Sequence, residues 1–256
     1  MEIGPLDHPL VERSDGEIIY IDHLDTSALK EKYASDSAVE KDRIVQIDAV
    51  WGEQTLAEAL GDRAPLDYVI ASHVIEHVPG LISWLQQIHQ ILKADGQLRL
   101  IVPDRRFIFN LLRHETSLAD ALDAYIRKVR KPSVISILDF VINAVVVDAT
   151  EAWDGKIQPD GLKHMSSTEA AIGLARDAEE RGTYHDVHCW VFTPTSFIVL
   201  LRKLSSLGLV RFACVEIIDT EPYQFDFYVA MTPCDDVVAA ESSWVKAASR
   251  VNSNHD

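Results

Sequence analysis

Through the first hundred residues, short β-branched runs alternate with helical patterns, and that alternation restricts the chain to an α/β fold. The runs are 1–3, EIIYID (17–22), RIVQID (43–48), LDYVIAS (66–72) and QLRLIV (97–102). Each is apolar enough for a strand covered on both faces, and such strands pair in parallel. The first run is cut short at Met1, so a strand of the usual length of about 5 to 6 residues would reach upstream of it. Helical patterns fall between the runs at 26–33, 54–60 and 81–92, the last with Leu81, Leu85, Ile88 and Leu92 at spacings of four and three.

Toward the C-terminus, Thr193 and Pro194 precede Phe197, Leu200, Leu201, Leu204 and Leu207, and Gly208 follows. That order is an N-cap, a proline at the first helical position, an apolar stripe and a glycine stop. The runs 210–218 and 224–231, separated by a polar turn with Pro222, then predict an antiparallel hairpin. Residues 103–183 fit no βα unit, carry a helical pattern at 118–129, and are long enough to form an inserted cap over the sheet's C-terminal edge. The expectation is a single domain over 1–256 with a helical insert at 103–183.

With 47% hydrophobic and 25% charged residues, the chain can bury a core without disulfides or metal staples. The three cysteines, Cys189, Cys214 and Cys234, are an odd number without CxxC spacing, which predicts free thiols in a reducing compartment. Lys plus Arg is 24 against 40 Asp plus Glu, and a net charge of −16 argues against a nucleic-acid partner. The opening MEIGPLDHPL lacks the basic and apolar regions of a signal peptide, so the expected location is cytoplasmic. The most apolar stretch, 134–147, is broken by Ser136, Asp139 and Asn143. It is too short to span a membrane and reads as a buried helix or a homodimer interface.

Ligands of an open parallel sheet bind beyond the carboxyl ends of its strands, which singles out Gly4, Asp22, Asp48, Ser72 and His73. Asp22 follows Gly4 by 18 positions in the sequence, near the spacing of a carboxylate that accepts both hydroxyls of a ribose. Its competing reading, a helix N-cap, suits Asp25 better.

The segment 66–103 is the most specific. LDYVIAS leads into His73-Val74-Ile75-Glu76-His77-Val78, a helix, and then Leu92-Lys93-Ala94-Asp95-Gly96 before the next strand. It resembles the fourth and fifth motifs of class I S-adenosylmethionine-dependent methyltransferases of the type 11 group. Glu2-Ile3-Gly4 resembles that family's first motif, Tyr20-Ile21-Asp22 the second, Ile47-Asp48-Ala49 the adenine-side motif, and 188–207 the closing His, Phe-Thr and Leu-rich helix. Two departures stand out. Gly4, Leu6 and His8 occupy the positions of Gly-x-Gly-x-Gly, and Lys93-Ala94-Asp95-Gly96 replaces Lys-Pro-Gly-Gly.

The resemblance implies a Rossmann-like, mostly parallel seven-stranded sheet ending in an antiparallel hairpin, with S-adenosylmethionine as cofactor. It implies Glu2, Gly4, Asp22, Asp48, Ala49, Ser72 and His73 on the cofactor side. In-line methyl transfer needs positioning first, and a general base only for an acceptor that loses a proton. The base candidates are His73, His77, His185 and His188, with Asp186 beside them; capping or core packing is the competing reading for His77 and His188.

Asp104 to Pro132 holds seven basic side chains against four acidic ones, a local excess in an acidic chain. Asp104, Arg105, Arg106 and Arg113 are therefore candidates to grip an anionic acceptor, against the competing reading of an ion-paired helix face. Pro103-Asp104-Arg105-Arg106 also resembles a stretch in methyltransferases of surface-polysaccharide assembly, which favours a glycan or nucleotide-sugar acceptor. Residues 73–77 also spell HxxEH, the inverted zinc-peptidase pattern, but they follow a strand and meet Pro79-Gly80, which ends any helix after one turn. No metal is expected. A scaffold that kept the fold after losing glycines remains the alternative to an enzyme.

Overall fold

The computed structural model describes residues 1–52 and 54–251. The first half builds β1 (Glu2–Ile3), β2 (Tyr20–Asp22), α1 (Thr26–Lys32), β3 (Ala49–Val50), α2 (Leu56–Leu60), β4 (Leu66–Ser72), α3 (Leu81–Ile91) and β5 (Leu92–Pro103). Four further helices follow: α4 (Leu118–Ile126), α5 (Val134–Asn143), α6 (Ala149–Trp153) and α7 (Thr168–Arg181). The chain then returns through α8 (Pro194–Ser206), β6 (Phe212–Ile218), β7 (Asp226–Pro233) and α9 (Val237–Ala247).

The strands form one seven-stranded sheet in the order β3-β2-β1-β4-β5-β7-β6. Strands β3 through β5 are parallel, while β7 runs antiparallel to both β5 and β6. This is the Rossmann-like sheet with a closing hairpin that the sequence predicts. The order reverses at β1 and β4, so the crevice beyond their carboxyl ends is where a ligand belongs.

Strand β4 falls where the sequence puts it, because every residue of LDYVIAS pairs between β1 and β5 or borders them. Strand β5 begins earlier than QLRLIV. A Cβ on Gly96 would lie 2.9 Å from the Leu66 carbonyl oxygen and 3.0 Å from that of Asp67, so only glycine lets the chain pass so close to β4. The third strand corrects the sequence reading. RIVQID is not a strand; Lys41–Arg43 is a single 3-10 turn, and the strand is Ala49–Val50. Ile44 and Ile47 are buried instead in a side cluster with Tyr20 and Leu29 of α1, so their apolar character serves helix packing.

Helix α3 buries Leu81, Trp84, Leu85, Ile88 and Ile91 in the main core, each worth about 1.5–3 kcal/mol. Helix α8 starts on the Thr193 cap, whose hydroxyl accepts from Ser196 N, with Pro194 next, as its sequence signals predict. Asp25 caps α1 by accepting from Ala28 N, which leaves Asp22 out of that task. Helix α5 buries Ile137 and Val141 against Ala171 and Ala175 of α7. Part of the apolar stretch at 134–147 thus packs within the chain, while Ile135 and Val146 stay exposed. Among the described residues, no helix is long and apolar enough to cross a membrane.

Candidate active site

The site begins where β1 ends. Gly4 has φ +67° and a Cβ on it would stand 3.1 Å from Val74 Cγ2, so the turn needs glycine for both conformation and room. Leu6, at the position of the missing second glycine, still adopts φ +44°. An L side chain costs roughly 1–2 kcal/mol there, so the loop holds a glycine-like backbone against strain. Glu2 acts on the same loop: its buried carboxylate accepts from Leu10 N at 2.8 Å and Val11 N at 3.2 Å. Burial raises its pKa, and those two amides offset part of the rise. Glu2 therefore shapes the loop from beneath it.

Asp22 ends β2 and is buried, with its Oδ1 accepting from His23 N at 2.6 Å. A glycine turn after β1 and a buried carboxylate after β2 fit an adenosyl group, the first by close backbone approach and the second by accepting from a ribose. Two other candidates lie elsewhere. Asp48 precedes β3, at its amino end, where its carboxylate accepts from Tyr20 N at 2.8 Å and pairs with Arg13 at 2.9 Å. Ala49 is buried in the main core. Both were expected beyond a strand that ends at 48; with the strand at Ala49–Val50, Asp48 serves the opposite sheet edge.

Ser72 closes β4 opposite Ile101, and His73 turns out of the sheet with φ +52°. For a histidine that conformation is strained, and such strain gathers at functional sites. His73 N donates to Ile101 O at 3.0 Å, which fixes the turn. Its Nε2 stands 3.3 Å from Asp226 Oδ2 at the start of β7, and its Nδ1 stands 3.6 Å from Glu76 Oε1. Burial pulls the His73 pKa down, but the Asp226 bond and the Glu76 charge outweigh it and leave it raised.

Residues 75–77 form a turn, so HxxEH is not helical and cannot place its two histidines as a zinc-peptidase does. Instead His77 Nδ1 bonds Asp186 Oδ1 at 2.8 Å while Nε2 faces Glu76 Oε1 at 3.9 Å. Burial lowers the His77 pKa, yet the Asp186 bond and the Glu76 charge raise it on balance. Burial alone would lift Asp186, but the His77 bond and charge, with Lys32 at 3.5 Å, hold it well below the usual carboxylate range. His188 is buried among Phe109, Phe140 and His77, with its Nδ1 at 2.8 Å from Asn110 Nδ2. Burial, then repulsion from His77 and Arg113, keeps it neutral. His185 is drawn away to Asp177 at 2.8 Å.

Of the arginine candidates, Arg106 and Arg113 are occupied inside the fold. Asp104 is fully buried and accepts from Arg106 Nη2 at 2.6 Å, Arg106 Nε at 3.0 Å and Thr220 Oγ1 at 2.8 Å. Arg113 is buried and bonds Asp139 at 2.8 Å and Asn110 Oδ1 at 3.1 Å, and Arg105 donates to Leu111 O at 3.1 Å. Apart from the Thr220 bond, these contacts stay within residues 104–139, so the expected anion grip by Asp104, Arg106 and Arg113 is replaced by internal pairing. A cleft of about 960 Å³ is lined by Arg105, Arg106, Glu115, Thr193 and Lys203 among others; His73, Glu76 and His77 do not border it. Sequence reading missed Asp226 and Asn110 altogether, and it gave Glu76 no part in the methyl-transfer site.

A family described as a methyltransferase domain matches residues 16–204. The chain belongs to that methyltransferase family. The matched span runs from the loop before β2 through most of α8, and so includes Asp22, the turn at 73–77 and His188. The family's cofactor is S-adenosylmethionine. Among solved structures, the methyltransferase chain is similar to the CurJ carbon methyltransferase, at 15% identity and TM-score 0.40 over 91% of this chain and 47% of that one. It is similar to the trans-methyltransferase CalH in complex with SAH, at 13% and 0.42 over 91% and 50%. It is also similar to the CcbJ methyltransferase from Streptomyces caelestis, at 10% and 0.42 over 91% and 87%. The chain spans about half the length of the first two. No curated protein matches its sequence.

Proposed function

We propose that the chain transfers a methyl group from S-adenosylmethionine to a hydroxyl-bearing small molecule or sugar-type acceptor, with His73 as general base. The observation that carries this reading is His73 itself, held at φ +52° at the switch point of the sheet with Asp226 on one ring nitrogen. When bound, the cofactor supplies an electrophilic methyl on a sulfonium. Gly4, on the loop that Glu2 holds, gives room for the backbone to approach it, and Asp22 accepts from its ribose. The His73 ring is 38% exposed, so an acceptor can reach it, whereas His188 is buried. Asp226 fixes the ring and stabilises the imidazolium that forms as the acceptor proton moves to His73.

Residues 103–183 serve as the acceptor-side cap, braced internally by the Arg113–Asp139 pair and tied to Thr220 outside it through Asp104. A sugar acceptor is favoured by the likeness of 103–106 to methyltransferases of surface-polysaccharide assembly. An anionic group on it finds no support from Arg106 or Arg113. Three free cysteines suit a cytoplasmic setting. The test is methyl transfer from labelled cofactor across a panel of sugars and nucleotide sugars, with His73→Asn beside the wild type. General-base loss lowers kcat by about 10²- to 10⁴-fold while leaving cofactor binding intact. An active His73→Asn would refute the base; failure of the wild type to bind SAH would move the chain to the scaffold reading.

A further inference from the structure

Glu76 is the most demanding side chain in the molecule. It is 1% exposed, and both carboxylate oxygens lack a hydrogen-bond partner. Its backbone is well tied, with Glu76 O accepting from Cys189 N at 2.7 Å and Trp190 N at 3.2 Å, so the fold places the carboxylate there firmly. Burying a carboxylate with nothing to pair it costs several kcal/mol unless the group is neutralised or coordinates a cation.

The carboxylate is aimed at two imidazoles. One oxygen of Glu76, one ring nitrogen of His77 and one of His188 lie within 4.8 Å of one another. The geometry points to a divalent transition-metal site made of Glu76, His77 and His188, which goes beyond the methyl-transfer reading and does not depend on it. Two imidazoles and one carboxylate, with no thiolate, suit borderline ions such as Zn²⁺, Co²⁺, Mn²⁺ or Fe²⁺. Ligand atoms around such an ion stand about 3–3.5 Å apart, so the 3.9 Å between His77 Nε2 and Glu76 Oε1 closes with a small side-chain adjustment.

The outer contact of His77 already suits that role, and that of His188 suits it after one turn of an amide. His77 gives its Nδ1 side to Asp186 at 2.8 Å, the carboxylate–imidazole arrangement that orients metal-bound histidines and frees Nε2. Asn110 stands at Nδ1 of His188, which leaves Nε2 for the ion. Ligation there places the ring proton on Nδ1, and the Asn110 amide turns to present its oxygen, giving up its 3.1 Å bond from Arg113. Three protein ligands leave coordination positions open to water or an acceptor oxygen. His73, 3.6 Å from Glu76 Oε1, stands beside the site. The expectation of no metal, drawn from the broken helix after His77, addressed a different ligand pair; this site takes its third ligand from 111 positions downstream of His77.

The test uses the full chain stripped with a chelator and titrated with Co²⁺, with SAH binding followed separately by calorimetry. The expected result is one Co²⁺ per chain with visible ligand-field bands, displaced by Zn²⁺, and a rise in Tm on loading. Glu76→Gln and His77→Gln should each weaken binding by more than the roughly 10- to 100-fold that outer partners contribute. Should Glu76→Gln lose its fold, the wild-type bands and Tm shift still decide. No bands and no Tm shift would overturn the site, as would Co²⁺ affinity unchanged in a folded Glu76→Gln. SAH binding without metal binding sinks this inference alone; metal binding without SAH binding sinks the methyl-transfer reading alone.

Discussion

His77 and Asp186 are separated by 109 positions in the sequence, yet His77 Nδ1 lies 2.8 Å from Asp186 Oδ1. This bond joins the turn after β4 to the segment that enters α8. Both side chains are about a third exposed, so solvent screens the pair. Asp186→Asn should therefore cost about 1 kcal/mol in a denaturant melt. It should also weaken Co²⁺ binding by roughly 10- to 100-fold, because the His77 ring loses the partner that orients it. Equal Co²⁺ affinity at equal folded fraction would show that His77 orientation does not matter.

The thiols give a check that needs no substrate. Burial pushes Cys189 up to about 12, with Arg113 offsetting part of the rise, and burial pushes Cys214 up to about 11. Both shifts disfavour the thiolate, which is the reactive form. In the native chain both should resist an aromatic disulfide reagent, then react fully once the chain is unfolded. Rapid native modification of either, mapped by peptide mass, would contradict the burial.

What could be read from the sequence follows from how local each signal is. LDYVIAS and the α8 cap are contiguous patterns, and both elements form where those patterns lie. Strand β3 has two residues, too few for any periodicity, and the apolar Ile44 and Ile47 nearby belong to α1 packing. The missing second glycine was a poor guide to the loop, since Leu6 takes the left-handed conformation at a cost in strain. In the site, the turn at 73–77 was legible because its residues are adjacent. Asp226 reaches His73 only because β7 is inserted antiparallel beside β5, and Asn110 reaches His188 through the insert. Neither has a local signature. The arginine run misled for a local reason: Asp104, two residues before Arg106, already holds its guanidinium.

That last pair supports a prediction of its own. Asp104 is 0% exposed and Arg106 14%, and Thr220 completes the carboxylate's bonds. Removing one partner of a buried pair costs about 3–5 kcal/mol, because the other charge stays behind in the interior. Asp104→Ala should lower stability by that amount, and chain that remains folded should keep its SAH affinity. A variant of native stability with a large rise in acceptor KM would restore the anion-grip role.

Asp22 and Asp48 separate the two edges of the sheet. Asp22 lies beyond the carboxyl end of β2, while Asp48 sits at the amino end of β3 on Tyr20 N and Arg13. Asp22→Ala removes the proposed ribose acceptor, and a charge-assisted bond of about 1–3 kcal/mol predicts SAH binding weaker by roughly 5- to 150-fold. Asp48→Ala should leave SAH affinity within a factor of about two and act on stability, by about 1 kcal/mol for its bond to Tyr20 N. Calorimetry on both variants decides the matter, because the reverse pattern would move the cofactor to the other side of β3.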